Sequence, residues 1–86
     1  VENDRLSLSV YPNPTKNKVF VDYELVTNNT IVLNIISLEG KVVYTNFITN
    51  NNGVLEINTT DLSDGIYFVT VKSETINKTV KLIIAR

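Results

Sequence analysis

The side chains most used for nucleophilic catalysis and for soft-metal binding are missing, since the 86-residue chain has neither cysteine nor histidine. Thiolate nucleophiles, Ser–His–Asp relays and Cys/His zinc sites are therefore excluded, and no disulfide staples the fold. What remains is a Ser or Thr activated by Lys, or a pair of carboxylates. Asp61 and Asp64 are the one close carboxylate pair in a turn, and together they could lend oxygens to a calcium ion. The plainer expectation is that Asp61 and Ser63 cap that turn while Asp64-Gly65 shapes the start of the next strand. On this inventory no enzyme, metal or cofactor is expected.

The elements that would carry such residues read as strands throughout. Apolar and polar residues alternate with a period near two, and β-branched residues are abundant. Leu6, Leu8 and Val10 mark a first strand; Val19, Val21 and Tyr23 a second; Ile31, Leu33 and Ile35 a third. Val32 and Ile36 make the other face of the third apolar too, the pattern of a central strand buried on both sides. Lys41 to Phe47, Val54 to Asn58, Ile66 to Lys72 and Lys78 to Ala85 complete seven. Turns are predicted at residues 27–29, 39–40, 50–53 and 63–65, with Asn52-Gly53 the clearest hairpin dipeptide. Thr60 to Ser63 holds at most one helical turn. Seven short strands at this spacing predict an all-β, immunoglobulin-like antiparallel sandwich, with a small Greek-key barrel as the alternative. The length suits one domain.

The two prolines, Pro12 and Pro14, both fall between the first two strands. Each fixes φ near −65° and pushes the residue before it towards extended geometry, so a stiff corner is expected there. The seven aromatics, Tyr11, Phe20, Tyr23, Tyr44, Phe47, Tyr67 and Phe68, lie in strands or at strand ends. Core packing or a tyrosine corner accounts for them better than a sugar-binding platform does. Three Asn-X-Thr sequons begin at Asn28, Asn58 and Asn77; among twelve asparagines these read as turn chemistry. The net charge of −1 is spread along the chain, which favours neither nucleic acid nor anionic lipid. No apolar run is long enough to span a membrane, and a monomer is expected.

The last strand is the least explained by pattern. In "NKTVKLIIAR" one face is Val80, Leu82 and Ile84, while Lys78, Lys81, Ile83 and Ala85 interrupt any simple polar face. Its lysines would guard an edge against aggregation. The sharper alternative is a recognition element whose edge or Lys and Ile side chains a partner reads.

"YPNPTKNKV" at 11–19, "SLEGKVV" at 37–43, "LSDGIYFVTV" at 62–71 and "KTVKLIIAR" at 78–86 together resemble the C-terminal sorting domain of type IX secretion (the Por secretion system), type A. The resemblance covers nearly the whole chain; each motif alone is weak, whereas the ordered set is specific. It implies an immunoglobulin-like sandwich at the C-terminus of a larger cargo protein in a Gram-negative bacterium, with the cargo's signal peptide upstream of Val1. The cargo would cross the periplasm, and the outer-membrane translocon, with shuttle and sortase components, would read the domain as an export signal. A sortase-like protease would often remove it, leaving cargo attached to the cell surface; other cargo is released. Tyr11, Pro12, Asn13, Pro14, Gly40, Lys41, Gly65 and Tyr67 match the family's structural signatures. Lys78, Lys81, Leu82, Ile83, Ile84 and Arg86 match the ending tied to export and are the expected recognition residues. Two departures are Ser37, where many members carry an acidic residue, and Ala85. Residues 1–5 are expected to be a linker to the cargo and 6–86 the sorting domain. The rival from another class is an extracellular β-sandwich binding or spacer module for glycan or protein.

Overall fold

The computed structural model describes residues 5–26, 30–49, 52–74 and 76–86. The turn expected at 27–29, and Asn50 and Asn51 of the turn at 50–53, lie outside the described residues. Seven strands are present: β1 (Arg5–Tyr11), β2 (Lys18–Val26), β3 (Ile31–Ser37), β4 (Val42–Ile48), β5 (Asn52–Asn58), β6 (Gly65–Lys72) and β7 (Asn77–Ile84). They form two antiparallel sheets, one in the order β1-β2-β5 and the other β4-β3-β6-β7. The immunoglobulin-like sandwich expected from strand count is what these sheets make. β4 stays beside β3 instead of crossing to the first sheet as the fourth strand of a constant-type domain does.

Period-two alternation fills the space between the sheets. Val19, Val21, Tyr23 and Leu25 of β2 and Ile57 of β5 meet Ile31, Leu33 and Ile35 of β3, Tyr67, Val69 and Val71 of β6 and Leu82 and Ile84 of β7. Each fully buried Leu or Ile of this kind contributes about 1.5–3 kcal/mol. β3 is central in its sheet, yet only its inner face is fully buried; Val32 and Ile36 on the outer face are half-buried, because no layer covers that side. The expectation of burial on both faces is corrected accordingly.

Three further expectations change. Asn52-Gly53 does not close a hairpin: both residues belong to β5, which pairs with β2 while β4 pairs with β3. The glycine is needed for another reason. Gly53 has φ +156° and lies opposite Tyr23, whose hydroxyl would sit 3.2 Å from any added Cβ. At the turn before β6 the cap is Asn58, not Asp61: Asn58 Oδ1 accepts from the Thr60 N–H at 2.8 Å and from its hydroxyl at 2.7 Å. Asn77, read as turn chemistry, is the first residue of β7, the turn before it being closed by Ser73 N–H to Ile76 O at 2.7 Å.

Tyr67 provides the tyrosine corner. Its ring is buried and its hydroxyl donates to the Ser63 carbonyl at 2.8 Å, tying the start of β6 to the turn upstream. Tyr23 is buried too, but Tyr11 and Phe47 are exposed. Tyr11 stacks on its cross-strand neighbour Phe20, centroids 5.8 Å apart, on the outer surface of the three-stranded sheet.

Candidate recognition surface

β7 lies at the end of its sheet and pairs with β6 alone among the named strands, so its second edge faces away from the sheet. A bare edge is a template for pairing with other chains. Here the corner after β1 occupies the C-terminal half of it. Asn13 Nδ2 donates to the Lys81 carbonyl at 2.8 Å, and Asn13 Oδ1 accepts from the Ile83 N–H at 2.9 Å. The backbone then takes over: Thr15 N–H donates to Ile83 O and Ala85 N–H to Thr15 O, both at 2.9 Å, forming a short parallel bridge between Thr15 and Ile84. Thr15 is itself buried, and its hydroxyl donates to the Lys18 carbonyl. Both Tyr11–Pro12 and Asn13–Pro14 bonds are cis.

Arg86 is held as firmly on the other side. Its Nη1 donates to the Leu62 carbonyl at 2.6 Å and meets Asp64 Oδ1 at 3.1 Å; its Nη2 reaches the Thr59 carbonyl and its backbone N–H meets Asp64 Oδ2 at 3.2 Å. Thr59 in turn donates its N–H to Asn17 O at 2.8 Å. The corner after β1, the turn before β6 and the residues after β7 thus form one hydrogen-bonded knot. The Asp64 carboxylate weighed as a calcium ligand is engaged by Arg86 through both oxygens. Among the described residues no cluster of three or more acidic side chains is arranged for a metal ion.

Residues 9–85 match the family described as the secretion system C-terminal sorting domain. The chain belongs to that family. No curated protein matches it. Members are C-terminal sorting signals of type IX secretion, a family of signals and not of enzymes, and membership implies export across the outer membrane to the cell surface or medium.

The two outer signatures of the sorting domain come together in space. Tyr11-Pro12-Asn13-Pro14 closes on the ending Lys78 to Arg86. Gly40 and Lys41 form the β3–β4 turn: Gly40 has φ +93° and donates to Ser37 O at 2.9 Å, and Ser37 N–H donates to Lys41 O at 2.8 Å. Ser37 Oγ accepts from the Lys41 N–H at 3.2 Å, so the serine that departs from the family pattern adds a side-chain bond to this turn. Gly65 opens β6 and Tyr67 makes the corner.

Within the ending, exposure divides the residues. Lys78 and Lys81 are exposed, Ile83 is half-buried, and Leu82 and Ile84 are in the core. Lys78 Nζ donates to the Leu6 carbonyl at 3.3 Å, reaching across to β1. Thr15 and Thr59 are the members of the knot that sequence reasoning missed, and Asp64, expected as a turn residue or calcium ligand, is instead the partner of Arg86. Asn13 was singled out only as part of a signature, and nothing in a single sequence pairs it with residues 81 and 83.

Proposed function

We propose that this chain is the export signal of a larger cargo protein, read by the type IX translocon through the surface around β7. The observation that carries the reading is the clasp: Asn13 and Thr15 bind the backbone of residues 81–85, so the motifs diagnostic of the family build one surface. Lys78, Lys81 and Ile83 are the side chains this surface offers to shuttle and translocon components. Leu82, Ile84 and Arg86 act through the fold, by fixing the strand. In transit the cargo passes the periplasm, a sortase-like protease cuts near the linker over residues 1–5, ahead of the domain at 6–86, and the cargo is anchored at the cell surface or released.

The test is a reporter preceded by a signal peptide and followed by this chain, expressed in a host with type IX machinery. The reporter is expected at the surface or in the medium, and Lys78→Glu with Lys81→Glu should lower that amount at least tenfold while the domain, which loses the exposed Lys78–Leu6 hydrogen bond, keeps a sharp thermal transition. Reporter held in the periplasm by the unaltered fusion would refute the reading; normal export of the double variant would remove the two lysines from it.

A further inference from the structure

The two outer faces of the sandwich differ in charge. β1, β2 and β5 contain Asp22, Glu24 and Glu56 against Arg5 and Lys18, the latter paired with Glu56 at 2.9 Å. By contrast, β3, β4, β6 and β7 contain no carboxylate and carry Lys72 and Lys81 on their outer face, Lys78 reaching instead to Leu6 of β1. The outer face of the four-stranded sheet is also the more apolar. Cross-strand register sets Phe47 beside Val32 and Lys72, then Val42 beside Ile36, Phe68 and Lys81, then Ile66 beside Ile83. Between the first two rows runs a polar one, Thr45, Asn34, Thr70 and Thr79, with the Thr45 hydroxyl donating to Asn34 Oδ1 at 2.8 Å. Phe47 is 62% exposed and Val42 49%. Two carboxylates, Glu39 and the Arg86-bound Asp64, lie in the turns beside Ile66. An apolar surface that carries Lys72 and Lys81 and no carboxylate among its strands complements a partner that is apolar at its centre and anionic where it meets the two lysines.

Resting on the sorting-signal reading, we infer that this face docks a second protein, one whose contact patch is apolar and carries carboxylates where it meets Lys72 and Lys81. A second copy of the chain fits poorly as occupant. Its acidic face lies on the opposite side of the sandwich, so copies would stack head to tail without closing. An anionic membrane fits poorly as well, because Lys72 and Lys81 alone would contribute about 1 kcal/mol each. Four strands about 4.8 Å apart and about 25 Å long give a footprint of about 500 Å², below the ~800 Å² per partner of a stable complex. That size suits a contact which forms during export and is then released.

The same reporter fusion tests the inference. Phe47→Ser with Ile66→Ser, and separately Lys72→Glu, are expected to lower export at least tenfold, while Val54→Ser on the opposite face leaves it unchanged. Lys72→Glu alters an exposed charge only, and its melting temperature checks that folding is intact. If the unaltered fusion is exported and these variants are too, the face is not a docking surface. Equal loss from Val54→Ser would also overturn it, as would a concentration-dependent dimer in sedimentation, or binding to phosphatidylglycerol vesicles, that Phe47→Ser abolishes. Failure of the unaltered fusion to leave the periplasm would instead refute the sorting reading, and the inference with it.

Discussion

Asn13 uses both halves of its amide, one to accept from Ile83 and one to donate to Lys81. No other side chain of its length offers a donor and an acceptor in that spacing. Asn13→Ala should cost about 1–3 kcal/mol, two hydrogen bonds at ~0.5–1.5 kcal/mol each, read as a lower denaturant midpoint with faster exchange of the Ile83 amide. Asn13→Asp keeps the acceptor, but sets an anion against the Lys81 carbonyl, and should recover no more than half the loss. A midpoint unchanged in Asn13→Ala would mean that the edge is closed by Thr15 alone.

At the scale of the strands, alternation made all seven elements and the inner faces of β1, β2, β3 and β7 readable from sequence, while β6, apolar on both sides at Ile66 to Val69, showed no face by pattern. The division into sheets was not readable, because period-two patterns say which face is buried and not which neighbour pairs. Asn52-Gly53 shows the limit. The same dipeptide serves a hairpin turn or a strand position beneath an aromatic ring, and only the register opposite Tyr23 separates them. The recognition ending was legible as a motif, but the burial of Leu82 and Ile84 and the clasp over the strand's edge depend on contacts with distant residues. β6 also holds an element-level defect. Thr70 is buried on the outer side of its strand, and its hydroxyl has no hydrogen-bond partner among the described residues. An unpaired buried hydroxyl costs roughly 1–3 kcal/mol, and valine has nearly the same shape with equal preference for strands. Thr70→Val should therefore raise stability by about 1 kcal/mol in chemical denaturation; a lower value would show that the hydroxyl is satisfied.

For the molecule as a whole, the ending serves the fold as well as any partner. Removing Lys81 to Arg86 takes Leu82 and Ile84 out of the core and dissolves the knot at Thr59, Leu62 and Asp64. The two side chains alone contribute about 3–6 kcal/mol, against a total stability of about 5–15 kcal/mol for ordinary domains. The truncated chain should lose its cooperative thermal transition by circular dichroism, so truncation by itself cannot separate reading from folding, and point changes at Lys78 and Lys81 can. Retention of a sharp transition would show that β7 is dispensable to the core.

Asn13 and Ile83 are 70 positions apart, which carries a consequence in time. Joining chain ends that distant costs loop entropy before any contact repays it, and topologies built on such pairings fold in milliseconds to seconds, not microseconds. During synthesis the corner after β1 emerges long before the strand it clasps. Leu6, Leu8 and Val10 then wait without a complete opposing sheet, and the seam between the first motif and the last closes only after Arg86 has left the ribosome. A factor that keeps a nascent chain slack over that interval would work with this topology, because nothing upstream of β7 can complete the outline by itself.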